Sequence, residues 1–550
     1  MGLLCCRWGH SPRCNNVLFL GGYELTSLQI NQHAPLQYSY NAVGQEYLRR
    51  SDAGFVNSSH YTATGLLAHQ RAGSGSENFL QSLQQNPQQP PFCTDVHRSY
   101  QYDRAHNVVR IEDDRWKQTT YRYNANDQIT ETQYSNQIGN RDEKFLYDAN
   151  LNLTEHMTLP SDAQGAMLQL FQQQQAGRVT RRDTARGYQL YHYDVNGRLE
   201  KKVVYEHGYR PKEWRYLWNT QNQLTACFTP KGDCWRYTYD AFGRRLSKTQ
   251  TVDSQAAHIN PLFPQLKPKV TAWHYLWSGD QMVEETPIYA DGTIAYDSQV
   301  QWLYEPGAIT PTARYQNGKL HYVVTDHQGT PREIFTEAGK ASWAGRLNTW
   351  GQMQFWQSRD GLADNDPNYT ECHFRFAGQY EDSESGLYYN RFRYYDRDSG
   401  QYISPDPIGL LGGFNPYGYV HSPTGWVDPF GLVREPIVFL PDGGDVLHPK
   451  TITPQNPEGL FTIKATGTHA GDKLALYEAA GIKEPVTAKW ISHHVSYNPA
   501  TNEMTMQLVN PNYHSYPHVG GVHEFEKQTG LKYNTDESIS AANKLNCKGK

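Results

Sequence analysis

One unit recurs along most of the chain and limits what it can fold into. Two aromatic residues one position apart precede Asp or Asn, then a turn, then an aliphatic residue that opens a polar run. Copies begin at Tyr38 (YSYNAVGQEYLRR), Tyr100 (YQYDRAHNVVRIE), Tyr121 (YRYNANDQITETQ), Phe145 (FLYDANLNLTEH), Tyr191 (YHYDVNGRLEKKV) and Tyr237 (YTYDAFGRRLSKT), with degenerate copies from Met167 and Tyr216. The third residue of successive motifs falls at Tyr102, Tyr123, Tyr147, Phe171, Tyr193, Trp218 and Tyr239, a period of 21 to 25 residues that signals a repeat architecture. Tyr-x-Tyr puts both rings on one face of a strand, Asp-x-x-Gly or Asn-x-x-Gly supplies a turn, and the Arg-Leu-x-Lys run returns as the second strand. A lone hairpin is marginal in water, so neighbouring hairpins must pair edge to edge. The expected fold is mostly β: a long spiral of β-hairpins.

Composition agrees with that reading. The 39 tyrosines and 13 tryptophans favour a pleated surface over a helix. A length of 550 residues exceeds one hydrophobic core, so two or more domains are expected. A mean hydropathy of −0.76 fits a soluble protein, and a net charge of −5 gives no global attraction to nucleic acid or anionic membrane. Cys5, Cys6, Cys14, Cys93, Cys227, Cys234, Cys372 and Cys547 lack CxxC spacing, which argues against a zinc ribbon or dense disulfide framework and for synthesis in a reducing cytoplasm. No apolar run is long enough to span a membrane. The start MGLLCCRWGH lacks the apolar core of a secretory signal, and Cys6 stands where a myristoylation pattern requires Ser or Thr, so no stable membrane anchoring is expected.

Taken together, the tandem YD units resemble the rearrangement hotspot (RHS) proteins, the C components of insecticidal toxin complexes, and the teneurins. The resemblance runs from about residue 38 to 432 and implies that the spiral forms part of a hollow shell. Residues 1–37 are an N-terminal segment of unclear role and 38–300 the repeats. Within the repeats, Val252 to Lys269, with Pro261, Pro264 and Pro268, breaks the period and reads as a surface loop. Residues 301–432 match the RHS-associated core through WLYEPGAITPTARY from Trp302, HYVVTDHQGTPREI from His321 and FRFAGQYEDSESGLYYNRFRYYDRDSGQYIS from Phe374.

That core ends in Ser404 to Leu432, where Asp-Pro-x-Gly-Leu occurs twice, at Asp406–Leu410 and Asp428–Leu432, 22 residues apart. Asp before Pro is held extended or in a turn and the Gly permits a tight bend, so each carboxylate sits at a constrained corner. The resemblance implies that the core cleaves itself between Leu432 and Val433 in aspartyl-protease fashion, with Asp406 and Asp428 as the acids and Arg393 beside them. Two close carboxyls do not both ionise easily, so one can activate water while the other donates a proton, and an intramolecular peptide needs no binding cleft. The fragment released would be residues 433–550.

That fragment carries seven of the 22 histidines, five of them between His493 and His523. Asp472 to Gly481 reads as a capped short helix, KWISHHVSYNPATNEMTMQLV as two strands about Asn498-Pro499, and Gly521 to Gly530 as a second helix. Lys544 to Lys550 is a basic patch or a solvated end. The Ser492-His493-His494 strand with Met506–Val509, His514, His518 and Gly520-Gly521 resembles the His-Asn-His and endonuclease VII superfamily in its Ser-His-His toxin branch, about residues 488 to 525. The resemblance implies a small α+β domain with a ββα-metal finger. In it, His494 is the general base and His493, with His514 or His518, holds a divalent cation: Mg²⁺, Zn²⁺, Ni²⁺ or Mn²⁺. Asn510 fills the middle polar position, with His523 as further support. Pro517 would break a helix carrying His514 and His518, which leaves open which of the two is a ligand. Local charge does little for phosphate binding, since residues 433–550 hold 11 Lys and Arg against 12 Asp and Glu.

The function these features point to is a polymorphic toxin for competition or virulence. Its core frees a metal-dependent endonuclease that degrades nucleic acid, DNA in preference to RNA, in a target cell. Synthesis in a bacterial cytoplasm and then secretion or delivery by another machine would follow, as would a cognate immunity protein. About 400 residues of repeat are too few to close a shell, so a second repeat protein completing it, or an N-terminally truncated chain, is expected. The alternative is a non-enzymatic YD-repeat adhesion or carbohydrate-binding protein, which leaves the paired Asp motifs and the histidine cluster unexplained.

Overall fold

A computed structural model of the chain describes residues 16–19, 25–75, 94–135, 142–148, 152–158, 168–251, 269–305, 307–355, 370–413, 415–432, 435–436, 460–482, 490–499, 501–509 and 521–548. Two compact units result, Met1–Phe439 and Leu440–Lys550.

The first unit is mostly β. Its main element is a 28-stranded sheet running from Asn16–Phe19 to Met353–Phe355, each strand antiparallel to its neighbours in sequence. Strands Asn16–Phe19 and Leu25–Gln29 already belong to it, and it runs without a break through residue 300.

The repeat motif explains the sheet locally. In the hairpins at Asn41, Asp103, Asn124, Asp194, Asn219 and Asp240 the side-chain oxygen accepts two backbone N–H groups from the turn. Asp103 takes those of Ala105 and Asn107, both at 2.9 Å, and Asn219 those of Gln221 and Gln223, at 3.0 and 2.9 Å. Since the turn uses one Oδ1 acceptor, Asp and Asn are interchangeable there. The turn then needs a left-handed residue, met by Gly197 (φ 78°) or, where Gly is missing, by Asn222 (φ 59°). The aromatic before the Asp does a second job. Tyr123 Oη donates to the Val108 carbonyl at 2.7 Å, Tyr147 to Ile129 at 2.8 Å and Tyr239 to Leu224 at 2.8 Å, while Trp218 Nε1 donates to Leu199 at 2.7 Å. Each acceptor is the aliphatic residue that opens the previous return strand. A ring N–H or O–H at this position therefore ties one repeat to the one before it, and Tyr and Trp both qualify.

Phe171 is a correction to the expected period. It has no donor, it is 46% exposed, and its strand, Leu168–Gln175, runs on to a two-residue turn at Ala176 (φ 52°) and Gly177 (φ 79°). Spacing alone placed it in the series. Residues 252–268 of the expected surface loop lie outside the described residues.

Distant repeats pack on each other. Leu36, Tyr38, Phe55 and Val96 share a core with Tyr322, Val324 and Phe335. Arg98, fully buried, joins Asp113 and Glu333 at 2.7 Å each. A second sheet, Tyr380–Asp382, Leu387–Asn390, Arg393–Asp396 and Gln401–Tyr402, lies against the repeats through Leu387, Tyr389 and Tyr394, which meet Tyr191, Tyr216 and Tyr237. Strands Leu387–Asn390 and Arg393–Asp396 are buried on both faces, which explains the run of tyrosines there and holds Arg393 rigidly.

In the second unit the strand Glu503–Val509 lies between Phe461–Lys464 and Ile491–Asn498, with helices His469–Ala479, Gly521–Thr529 and Asp536–Lys548. Two expectations need correction. The first helix begins at His469, because Thr468 Oγ1 accepts the Gly471 N–H at 3.1 Å as its cap, so Asp472 lies one turn inside it. The basic stretch from Lys544 to Lys548 continues the helix Asp536–Lys548, whose Ala542 joins the domain core, with Lys544 itself exposed, so it is not an unstructured end.

Candidate functional site

The two Asp-Pro-x-Gly-Leu corners converge. Arg393 Nη2 lies 3.0 Å from Asp406 Oδ2 and 3.3 Å from Asp428 Oδ2, with all three side chains almost wholly buried. Its guanidinium stacks 3.7 Å above the Tyr402 ring and donates to the Gly431 and Pro416 carbonyls. Asp428 Oδ1 accepts the Leu432 N–H at 2.8 Å, Oδ2 accepts the Tyr402 hydroxyl at 2.9 Å, and Asn390 Nδ2 donates to the Asp428 carbonyl at 2.8 Å. Gly431 makes the bend at φ 70°.

Gly412 sets the other wall. A Cβ there would stand 2.0 Å from Asp406 Oδ2 and 2.6 Å from the Leu432 carbonyl oxygen, so the carboxylate and that carbonyl share one small space that no larger residue can enter. The Leu432 N–H is thus held on Asp428, and its carbonyl oxygen and the Asp406 carboxylate border the same space beside Gly412. Burial pushes the Asp428 carboxyl above the usual aspartate range; Arg393, the Leu432 N–H and the Tyr402 hydroxyl pull the other way without cancelling it. Val433 lies outside the described residues. Tyr402, Asn390 and Gly412 were not among the residues expected here. The tyrosine-rich run and GLLGG carried no signal that separated a site from packing.

In the second unit, His494 is turned into the domain. Its cross-strand partner is the buried Met506, whereas His493 pairs with Gln507, so the two imidazoles lie on opposite faces. The strand bulges immediately after His494, with Val495 as the extra residue. His494 Nε2 sits 3.0 Å from Asp472 Oδ2, and the Tyr533 hydroxyl donates to that same oxygen. Asp472 Oδ1 accepts the Thr466 N–H and hydroxyl, each at 2.8 Å. Burial works against the charge on Asp472, but these donors hold its carboxyl below the usual range. His469 lies edge-on to His494 with ring centroids 5.0 Å apart, and burial depresses its pKa, with His494 adding to the effect.

Asp472, His469 and Tyr533 were missed from sequence. The i, i+3 spacing of His469 and Asp472 was a usable signal once the helix start is placed correctly; Tyr533 offered none. Asn510, His514, His518 and the His523 side chain lie outside the described residues, and among the described residues no group of three or more His, Cys, Asp or Glu is placed to share a cation. No described helix is long and apolar enough to cross a membrane.

The family model of the teneurin YD-shell matches residues 107–411, more than half of the chain. The chain belongs to the YD-shell family. Among its relatives, the probable deoxyribonuclease RhsA of Dickeya dadantii is 34% identical over 412 residues, 74% of this chain and 25% of the relative. The double-stranded DNA deaminase toxin A of Burkholderia cenocepacia is 29% identical over 348 residues, 60% of this chain and 22% of the relative. This YD-shell chain therefore spans about a quarter of the length of these curated relatives. The crystal structure of TcdB2-TccC3-TEV has the same fold over 74% of the chain and 20% of that structure's chain, with a TM-score of 0.55 at 19% identity. The hairpin spiral expected from the repeats is thus the fold observed.

Proposed function

We propose that this YD-shell chain is a polymorphic toxin whose core hydrolyses the Leu432–Val433 bond and frees a C-terminal nuclease. The observation that carries the first step is the convergence of Asp406, Asp428 and Arg393 on a peptide whose carbonyl oxygen lies beside Asp406. The two carboxyls act as a pair sharing one proton, spaced by Arg393. Water adds to the Leu432 carbonyl carbon as the ionised carboxylate takes its proton and the proton shared by the pair reaches the carbonyl oxygen through Asp406, which lies beside it. Collapse breaks the C–N bond, and the Val433 amine leaves with a proton. Burial of Asp428 supports this assignment, because it keeps a carboxyl protonated at higher pH than an exposed aspartate. Intact mass measurement on the expressed chain tests it: wild type yields two species divided at 432/433 and Asp428→Asn one. A single intact species in wild type sinks the cleavage.

For the released fragment, the reading is a nuclease acting on DNA. Relatives named as a deoxyribonuclease, a DNA deaminase and the tRNA3(Ser)-specific nuclease WapA of Bacillus spizizenii support nucleic acid as the target class. Their differing activities leave the chemistry to this unit's own residues. His493, with His514 or His518, would hold a divalent cation. Neutral imidazole ligands suit Zn²⁺ or Ni²⁺ better than Mg²⁺ or Mn²⁺, and His493 lies on the strand face opposite His494, across from Gln507. When bound, such an ion stabilises charge on the phosphodiester. His494 takes the proton from the attacking water. Plasmid incubated with the chain and each of the four metals, with and without EDTA, tests this: nicking that EDTA stops and His494→Ala abolishes is expected, and no nicking with any metal ends the reading. Delivery into a target cell and a cognate immunity protein complete the proposal; toxicity in bacteria that the neighbouring gene product relieves is the corresponding observation.

A further inference from the structure

The nuclease reading leaves a question about His494: which ring nitrogen is available to act as base. Nε2 is the atom 3.0 Å from Asp472 Oδ2. Asp472 is fully buried, and its carboxylate collects donors from three elements: the Thr466 N–H and hydroxyl ahead of the helix, the Tyr533 hydroxyl, and His494 across the helix–strand contact. An ionised carboxylate only accepts, so the proton on this contact belongs to Nε2, and in the neutral ring the lone pair is left on Nδ1.

We propose that Asp472 is a positioning residue that holds His494 as the Nε2–H tautomer and presents Nδ1 as the proton acceptor of the C-terminal site. The inference rests on the nuclease reading for its consequence, but the tautomer itself does not depend on it. Geometry argues for orientation rather than mere packing. Oδ1 is anchored by Thr466, next to the helix cap, and Oδ2 is shared by Tyr533 and His494, so the carboxylate plane is fixed on one side and aimed from the other. His469, edge-on to His494 at 5.0 Å, restrains the ring from a third direction. Strand alternation turns this ring inward while His493 lies on the opposite face, and the β-bulge follows at Val495.

The test has two arms on the full-length chain. In the first, the protein is labelled with ¹⁵N-histidine and long-range proton–nitrogen correlations are recorded; the His494 signals are those lost in His494→Gln. Wild type is expected to show the Nε2–H pattern. An Nδ1–H pattern in wild type, or an unchanged, fully Nε2–H pattern in Asp472→Ala, overturns the proposal. In the second arm plasmid cleavage is measured with Mn²⁺. Asp472→Asn is expected to lower kcat about 10- to 100-fold, the usual effect of losing an orienting partner, with KM unchanged and the thermal transition of the domain retained. An unchanged kcat overturns the proposal. If Asp472→Asn loses its thermal transition, the wild-type tautomer decides alone. Failure of the nuclease reading looks different: wild type inactive with every metal while His494 still shows the Nε2–H pattern.

Discussion

Two buried aspartates, one in each unit, show how the same residue is prepared for opposite tasks. Asp428 and Asp472 are both fully inside, and each accepts hydrogen bonds on both oxygens. Yet the carboxyl of Asp428 is raised and that of Asp472 lowered. In both, donors oppose burial. Asp428 has the backbone N–H groups of Leu432 and Gly431, the Tyr402 hydroxyl and a share of Arg393, whose guanidinium also serves Asp406 and two carbonyls. Burial outweighs that set. Asp472 has four donors of its own, two from Thr466 alone, and these outweigh burial. On the proposed reading, the raised carboxyl belongs to a pair that gives a proton and the lowered one carries a charge that orients a neighbour.

The comparison can be broken most decisively at the first site. Gly412→Ala puts a methyl where the Asp406 carboxylate and the Leu432 carbonyl now meet, and it is expected to abolish release of residues 433–550, measured by intact mass, while the melting temperature of the shell falls modestly. Full cleavage in this variant would show that the observed packing is not the reacting arrangement. At the second site, Asp472→Ala strands the Thr466, Tyr533 and His494 donors in the interior. A loss of about 3 kcal/mol is expected, from unsatisfied buried groups, read as a lowered denaturant midpoint of the C-terminal unit.

A pH profile sharpens the contrast further. The folded pKa of Asp428 lies above its unfolded value, so its protonated form persists as pH rises beyond the ordinary aspartate range and is lost on passing the raised folded pKa. Single-turnover cleavage should therefore fall along a basic limb above that range. Tyr402→Phe removes a hydrogen bond to the charged form and should move the limb to higher pH; a move to lower pH contradicts the assigned cause. The same sign check on Asp472 runs the other way. Its depressed carboxyl contributes stability above the unfolded pKa that disappears as pH falls through the folded one, so the C-terminal unit should weaken in acid, and less so in Asp472→Asn. The smallest effect expected is in the repeats. Tyr147→Phe deletes one inter-repeat hydrogen bond to the Ile129 carbonyl and should cost about 1 kcal/mol, whereas Phe171→Tyr, at a position with no such acceptor, should gain nothing measurable.

Much of the first unit was legible because its determinants are local. A Tyr-x-Tyr pair, an Asp that caps its own turn and a left-handed residue at the end specify a hairpin without reference to anything distant, and repetition does the rest. Phe171 marks where that legibility ended: a period can be kept by a residue that cannot make the bond the period serves. Asp406, Asp428 and Arg393 were readable from motif order, and the structure places them together, but Gly412 and Tyr402 were invisible because their roles arise from chains meeting in space. In the second unit the strands and the helix at Gly521 were readable from pattern. The partner of His494 was not, since the contact joins residues 22 apart across a helix and a strand.

By itself, then, the sequence determined the hairpin spiral, the position of the two acidic corners and the histidine-bearing strand, all of which depend on interactions within a few residues. Tertiary structure decided which carboxyl is pushed up and which is pulled down. That depends on how burial and the donors gathered from distant segments balance at each carboxyl, a property of the packed chain rather than of any segment of it.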